Sequence, residues 1–148
     1  MIRCLLLVTI LTLSQFHFQD VKVATWTFGT PDKDHFERLS FWIKDEQRAY
    51  IRYSIGKDSD DVALVWLGPD SVAGRRGFRA GFEAPDNRTL FIAPAEHDSL
   101  LVFFRSDKEQ LYHEKFHWEN DTDSAAACDI CAHSAKEATG WLRKYFWK

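Results

Sequence analysis

The sequence carries little net charge and, beyond its first residues, no long apolar run. Lysine and arginine number 19 against 22 aspartates and glutamates, which gives a formal net charge of −3. This balance gives no reason to expect nucleic acid as a partner, and the short basic group of Arg75, Arg76 and Arg79 is more simply explained as a solvated hairpin face. No stretch after residue 14 is long and apolar enough to cross a bilayer, so we expect no membrane span.

The chain also lacks a low-complexity linker, a strong internal repeat and any Ser-His-Asp arrangement that can be placed. Residues 15–148 are therefore expected to form a single β-rich domain with one core. Because no set of catalytic side chains can be placed, we assign no catalytic residue and no cofactor. The segment KDSDD, residues 57–61, has acidic groups that suit calcium, but a solvated turn explains it more simply.

The one long apolar run lies at the N-terminus. Arg3 supplies a positive charge, the run CLLLVTILTL follows at 4–13, and Ser14 is a small residue at a candidate cleavage point. This layout is typical of a secretory signal peptide. We therefore expect a signal peptide at residues 1–14 and a secreted, extracellular protein that begins near Gln15.

Secretion changes how the cysteines and two of the asparagines are interpreted. Removal of the signal peptide takes away Cys4 and leaves Cys128 and Cys131, in the sequence CDIC, as the remaining thiols. On a helix these two would lie on one side and could pair, whereas on a strand they would point to opposite faces. An oxidising compartment disfavours two free thiols, so we expect a Cys128–Cys131 disulfide. Asn87 and Asn120 begin Asn-x-Thr sequons and are expected glycosylation sites.

Aromatic residues are abundant and occur in short runs between turn residues. The sequence has 12 Phe, 6 Trp and 4 Tyr, which suit strands. Runs such as AYIRYSI at 49–55 alternate in character, and turn signals recur roughly every 8–12 residues. The run VALVWLG at 62–68 is nearly all apolar, which predicts a strand buried on both faces. We predict an all-β fold, an antiparallel β-sandwich of about eight strands.

The C-terminal segment combines two patterns. Residues 123–140 contain helix formers, a capping Asp or Ser at the start and Gly140 at the end, which favours one short helix near residues 124–138. The stretch WLRKYFWK at 141–148 alternates and predicts a final strand.

The stretch YHEKFHW, residues 112–118, contains His-Glu-x-x-His. On a helix, His113 and His117 would bind one zinc ion and Glu114 would polarise a bound water, as in zinc metalloproteases. The window fits a strand better, because it follows an apolar run and a short turn. Lys115 would then lie between the two histidines on the solvent face, and no third zinc ligand follows. We predict a strand at 110–118 and no catalytic metal there.

A second zinc hypothesis adds the cysteine pair to the histidines. His113, His117, Cys128 and Cys131 are ligand types that suit a structural site. Their order is the reverse of the familiar zinc finger, and secreted cysteines more often oxidise than bind zinc. Two surface histidines and a separate cysteine pair are the simpler interpretation.

The order of several short stretches is similar to that of one protein family. In chain order they are FWIK (41–44), AYIRYS (49–54), DSDDVALVWLG (58–68), SVAGRR (71–76), WEND (118–121) and SAKEATGW (134–141). Together they resemble the invertebrate domain named after farnesoic acid O-methyltransferase. SVAGRR departs from the family pattern by one insertion, and the family's double glycine before its tryptophan is missing here.

The resemblance implies an antiparallel β-sandwich in which residues 126–134 form a strand, against the helix that propensity favours. It also implies a non-catalytic extracellular module that recognises carbohydrate or a protein partner, and no binding residue carries over. Methyltransferases that use S-adenosylmethionine normally have an α/β sheet with a Gly-rich loop after the first strand, and this sequence has neither. The family name therefore implies no enzyme activity here.

Our first functional hypothesis is a secreted, non-catalytic binding module that recognises carbohydrate or an extracellular protein. Exposed aromatic side chains would stack on sugar rings or fill a protein pocket. The candidates are Trp42, Trp66, Trp118, Trp141 and Trp147. The alternative is a carrier of small hydrophobic molecules built on a β-barrel with a terminal helix. A zinc metalloprotease that uses the His-Glu-x-x-His stretch is the third hypothesis.

Overall fold

Eight antiparallel strands form one closed barrel in the order of the sequence. The computed structural model describes residues 20–32, 35–56, 60–96, 98–105, 111–120, 128 and 130–148. The strands are β1 Val21–Gly29, β2 Phe36–Ile43, β3 Ala49–Ile55, β4 Val62–Val72, β5 Arg75–Gly81, β6 Thr89–Pro94, β7 Ser99–Arg105 and β8 Leu111–Glu119. The seam between β1 and β8 consists of the pairs Thr25↔Glu119, Trp26↔Trp118 and Thr27↔His117.

The prediction of an all-β antiparallel fold of about eight strands with one short helix is confirmed. The strands belong to a single sheet closed on itself, because the seam joins the first strand to the last. The signal peptide expected at residues 1–14 lies outside the described residues.

Alternation along each strand decides which side chains fill the barrel. On β2, Leu39 and Phe41 face inward and are buried, while the half-buried Trp42 lies on the opposite face. The largest fully buried side chains of the barrel core include Trp26, Phe41, Phe78 and Phe116, whereas the buried Phe91 packs in a separate cluster with Phe103. Burial of one such side chain stabilises the fold by about 1.5–3 kcal/mol. These aromatic residues therefore contribute to stability as core residues.

The strand β4 differs from its expected burial. The run at 62–68 was predicted to be buried on both faces, yet Leu64 is 6% exposed while Val65, Trp66 and Leu67 are 43%, 44% and 51% exposed. In a single closed sheet one face of each strand lies on the outside of the barrel, and Val62 is 46% exposed although it pairs with Tyr53. The pairing of β3 with β4 also covers only three residue pairs and ends at Ile51↔Leu64. Beyond Leu64, β4 continues as a hairpin with β5 and has a bulge between Trp66 and Gly68. Apolar composition therefore did not indicate burial here.

The single helix of the described residues, α1, spans Ala135–Phe146. It begins later in the chain than the helix that we expected near residues 124–138. The prediction of a final strand at 141–148 is wrong, because residues 141–146 belong to this helix. The Ser134 side chain caps the start by accepting a hydrogen bond from the Glu137 backbone N–H at 3.2 Å. In a closed barrel each strand already pairs on both sides, so no free strand edge is left for a ninth strand. The alternating run that begins at residue 141 instead forms the last turns of the helix. No helix in the described ranges is long and apolar enough to cross a membrane.

One face of α1 covers an end of the barrel, which we call the helix end. This face consists of Ala135, Ala138, Leu142 and Phe146, which are all buried. Ala138, Leu142 and Phe146 belong to the same core cluster as inward-facing strand residues. The Phe146 ring stacks on Phe78 at 4.9 Å, and the Tyr145 hydroxyl donates to the Asp45 carbonyl at 3.3 Å. The helix therefore contacts both the interior and the turn between β2 and β3. We call the opposite end of the barrel the far end.

Cys128 and Cys131 form a disulfide, with an S–S distance of 2.10 Å. The pair lies in a turn before α1 and not on a helix, and the Cys131 backbone N–H donates to the Cys128 carbonyl at 3.4 Å. Residues 128 and 130–134 contain no strand, so the strand implied by the family resemblance at 126–134 is absent from the described part of that segment. The Ala132 N–H donates to the Val23 carbonyl at 2.9 Å, which attaches the turn to β1.

Candidate functional site

The His-Glu-x-x-His stretch lies on a strand, as predicted, and its side chains point to different sides of the sheet. His113, Lys115 and His117 are exposed, whereas Phe116 is buried and Glu114 half-buried. The His113 ring lies 5.2 Å from the Phe103 ring. Because Glu114 and the histidines do not share a face, the structure does not bring together the residues of a zinc-protease site. The disulfide also leaves Cys128 and Cys131 without thiolates for the second zinc hypothesis.

Glu114 meets two other ionisable side chains inside the far end of the barrel. His35 Nε2 lies 2.8 Å from a Glu37 oxygen and 3.6 Å from a Glu114 oxygen. One candidate ligand atom from each residue lies within 4.8 Å of the other two. The Tyr53 hydroxyl donates to the second Glu37 oxygen at 2.5 Å. We call His35, Glu37 and Glu114 the acidic cluster.

The charges of the acidic cluster are only partly balanced. Burial raises the pKa of Glu114 above its ordinary value, the charge of Glu37 raises it further, and the charge of His35 opposes both. The Glu114 Oε2 atom is buried and has no hydrogen-bond partner. Glu37 is 4% exposed, so two carboxylates converge where water solvates them poorly. A proton or a cation would therefore be favoured at this point.

Two aromatic residues, Phe28 and Tyr53, contact the acidic cluster and pack against further rings. The Phe28 ring lies 5.7 Å from the His35 ring and 5.8 Å from the Phe116 ring, and Tyr53 lies 5.7 Å from Phe82. Tyr53 also lines a cleft of about 330 Å³ at the far end. The cleft is lined by Tyr53, Ser54, Ile55, Asp60, Val62, Phe82, Glu83, Asp86 and Arg88.

A second cleft, of about 410 Å³, opens where β4 separates from β3, and we call it the Trp66 cleft. It is lined by Lys44, Gln47, Arg48, Ala49, Tyr50, Trp66, Tyr145 and Phe146. Its position follows from the short β3–β4 pairing, which leaves Trp66 beside Ala49 and Tyr50 without a ladder between them. The last turns of α1 form its inner wall. This cleft combines an exposed indole with polar side chains at its rim.

The other candidate tryptophans are less accessible than Trp66. Trp42 stacks on Tyr50 with ring centroids 6.2 Å apart, and its indole N–H donates to Ser40 at 3.0 Å. Trp118, Trp141 and Trp147 are partly buried and pack against the core. Trp66 is therefore the candidate that the structure leaves most open to a ligand.

The remaining predicted residues lie mainly on the surface. Asn87 and Asn120 are exposed, as an attached glycan requires. Arg75 and Arg76 are also exposed, whereas the Arg79 Nε donates to an Asp70 carboxylate oxygen at 2.9 Å. Residues 57–59 of the candidate calcium turn lie outside the described residues.

Sequence reasoning did not select His35 or Glu37. A carboxylate in alternation with inward-facing apolar residues, as at Glu37 before Leu39 and Phe41, is the signal that would have indicated one of them. No protein-family model, no curated protein and no solved structure matches the chain. The resemblance to the farnesoic acid O-methyltransferase-type domain stays a prediction.

Proposed function

We propose that the protein is a secreted, non-catalytic binding module that recognises carbohydrate in the Trp66 cleft. The observation that carries this proposal is the 44% exposure of Trp66 inside a cleft with polar side chains. A sugar ring has an apolar C–H face and a rim of hydroxyl groups. An indole face can stack on the C–H face of the sugar, and nearby donors and acceptors can form hydrogen bonds with its hydroxyl groups.

The polar rim of the cleft is held in place by Asp45 in the turn between β2 and β3. One Asp45 oxygen accepts hydrogen bonds from the Gln47 and Arg48 backbone N–H groups at 3.0 and 2.9 Å. The other accepts from the Arg48 guanidinium at 2.5 Å, and this side-chain bond holds the pKa of Asp45 below its ordinary value. The Arg48 guanidinium is thus oriented before a ligand binds, which reduces the entropy that binding costs.

The composition of the cleft argues for binding without catalysis. Its described lining includes Lys44, Gln47, Arg48 and two tyrosines, but no carboxylate, imidazole or thiol. Glycoside hydrolysis normally needs a pair of carboxyl groups on either side of the scissile bond. The cleft therefore has groups for holding a saccharide and lacks the usual groups for cleaving one.

A carrier of small hydrophobic molecules is the second candidate, favoured by the closed barrel. Its binding site would be the far-end cleft, where Ile55, Val62 and Phe82 give an apolar lining. Against this candidate, the inward-facing rings of Phe41, Phe78 and Phe116 are packed in the core of the described chain.

Glycan-array binding of the purified protein, followed by calorimetry on the best oligosaccharide, tests the proposal. We expect Trp66→Ala to weaken binding about tenfold or more, as loss of a central aromatic contact costs about 2 kcal/mol. Val65→Ala is the matched control, since Val65 is equally exposed on the adjacent position of the same strand. Unchanged binding in Trp66→Ala, or an array without any bound glycan, would reject the carbohydrate proposal. Binding of an apolar fluorescent probe that is lost in Phe82→Ala would favour the carrier instead.

A further inference from the structure

We propose that His35, Glu37 and Glu114 form a binding site for one divalent transition-metal ion at the far end of the barrel. The site is separate from the Trp66 cleft and does not depend on the carbohydrate proposal. It involves one residue of the His-Glu-x-x-His stretch, Glu114, and neither of that stretch's histidines.

The separations within the acidic cluster suit metal coordination. His35 Nε2 lies 2.8 Å from Glu37 Oε1 and 3.6 Å from Glu114 Oε1. Nitrogen and oxygen ligands of zinc, at bonds of about 2.0–2.2 Å in tetrahedral geometry, lie about 3.3–3.6 Å from one another. Small side-chain rotations would therefore bring all three groups onto one ion. One nitrogen and two carboxylates are ligands that zinc, manganese, iron and cobalt accept, whereas calcium prefers six to eight oxygens.

Charge and hydrogen bonding at the cluster favour a cation. Glu37 has a side chain only 5% exposed, and the buried Glu114 Oε2 atom has no hydrogen-bond partner. Two ionised carboxylates held together away from water repel each other and lose hydration. A divalent ion would neutralise both and would take the unpartnered oxygen or its neighbour as a ligand. The Tyr53 hydroxyl already orients Glu37 from its other oxygen, as groups behind metal ligands commonly do.

The backbone holds His35 in position through Gly29. Gly29 has φ +82°, and a Cβ added there would lie 2.1 Å from the His35 carbonyl oxygen. Only glycine permits this close approach between the end of β1 and the residue before β2. The His35 side chain is 60% exposed, so an ion can reach the cluster from solvent and a water can complete its coordination.

Calorimetry of chelator-treated protein with Zn²⁺, and separately with Mn²⁺ and Ca²⁺, tests the proposal. We expect one Zn²⁺ per chain, with binding weakened at least tenfold in both His35→Ala and Glu114→Gln. Co²⁺ should give visible absorption bands that disappear in the same two variants. The matched controls are His113→Ala and His117→Ala, exposed histidines on the other side of β8, which should bind as the unchanged protein does.

His35 is mostly exposed, so its replacement leaves the fold intact and its result can be interpreted even if Glu114→Gln lowers stability. The absence of Zn²⁺ binding would overturn the proposal, as would binding that survives His35→Ala. Loss of binding in His113→Ala or His117→Ala would assign the ion to the surface histidines and would also overturn it.

Discussion

Asp61 shows two opposing effects on one carboxylate. Burial raises its pKa, while the hydrogen bond and charge of Arg38, whose Nη2 lies 2.8 Å from Oδ1, lower it. The lowering effects prevail, so the pKa of Asp61 in the folded protein lies below its ordinary value of 3.8. Such a group stabilises the fold above its unfolded pKa, and this stabilisation is lost as the pH falls through the folded value.

We predict that Asp61→Asn lowers the free energy of unfolding at pH 7 by up to about 1 kcal/mol, since the ion pair is partly exposed. The difference from the unchanged protein should shrink as the pH falls from 3.8 through the lower pKa of the folded state, because Asp61 is then protonated and loses its charge. Urea unfolding followed by tryptophan fluorescence across this range measures it. The exposed neighbour Asp60, changed to Asn, is the control and should have a smaller effect. A difference that does not vary with pH would contradict the assignment to Arg38.

The elements differ in how well local sequence predicted them. Alternation within single runs predicted β8 and the solvent-facing positions of His113, Lys115 and His117, because strand periodicity is a local property. The helix boundaries were missed because Gly140 was interpreted as a C-terminal stop, although α1 continues to Phe146. The buried face Ala135, Ala138, Leu142 and Phe146 has helical spacing, which decides the conformation through packing on the barrel.

Gly140 is therefore a flexible residue within a helix, and we predict that Gly140→Ala raises the free energy of unfolding by about 0.5–1 kcal/mol. A Cβ at this position would meet no atom within 4 Å other than its chain neighbours and the backbone of its own helix. Gly77→Ala is the contrasting variant. Its Cβ would lie 2.1 Å from the Ile92 carbonyl oxygen, so we expect this substitution to destabilise the protein. Thermal unfolding of both variants measures the two effects. Destabilisation by Gly140→Ala would contradict the placement of this residue on an open helix face.

At the scale of the whole molecule, features that depend on distant strands were not predictable from single runs. The exposure of Trp66 follows from where the β3–β4 pairing ends, and no property of the run at 62–68 indicates that point. The acidic cluster joins β8 to β2 across β1, so its members are adjacent only after the barrel closes. Alternation indicated the solvent face of β8, but no local pattern indicated which inward-facing residues meet.

The expected secretion leads to a prediction about the intact protein. We expect material secreted by a eukaryotic host to begin near Gln15, to carry glycans at Asn87 and Asn120, and to contain no free thiol. Intact mass before and after enzymatic removal of glycans, with thiol labelling under denaturing conditions, measures all three. A retained Met1 would contradict the signal peptide. Two reactive cysteines, or a disulfide-linked dimer on a non-reducing gel, would contradict the Cys128–Cys131 bridge.

The seam between β1 and β8 has a consequence for how the chain folds. Trp26 of β1 pairs with Trp118 of β8. The edge of β1 that does not pair with β2 is therefore covered only after the last strand has formed. Bringing such distant segments together costs loop entropy before their contacts repay it, and β-proteins dominated by distant pairings fold in roughly milliseconds to seconds. During synthesis, β1 would keep one unpaired edge until nearly all of the sheet had emerged. An unpaired edge can pair with another chain, so we expect the exposed edge of β1 during synthesis to limit the yield of native protein.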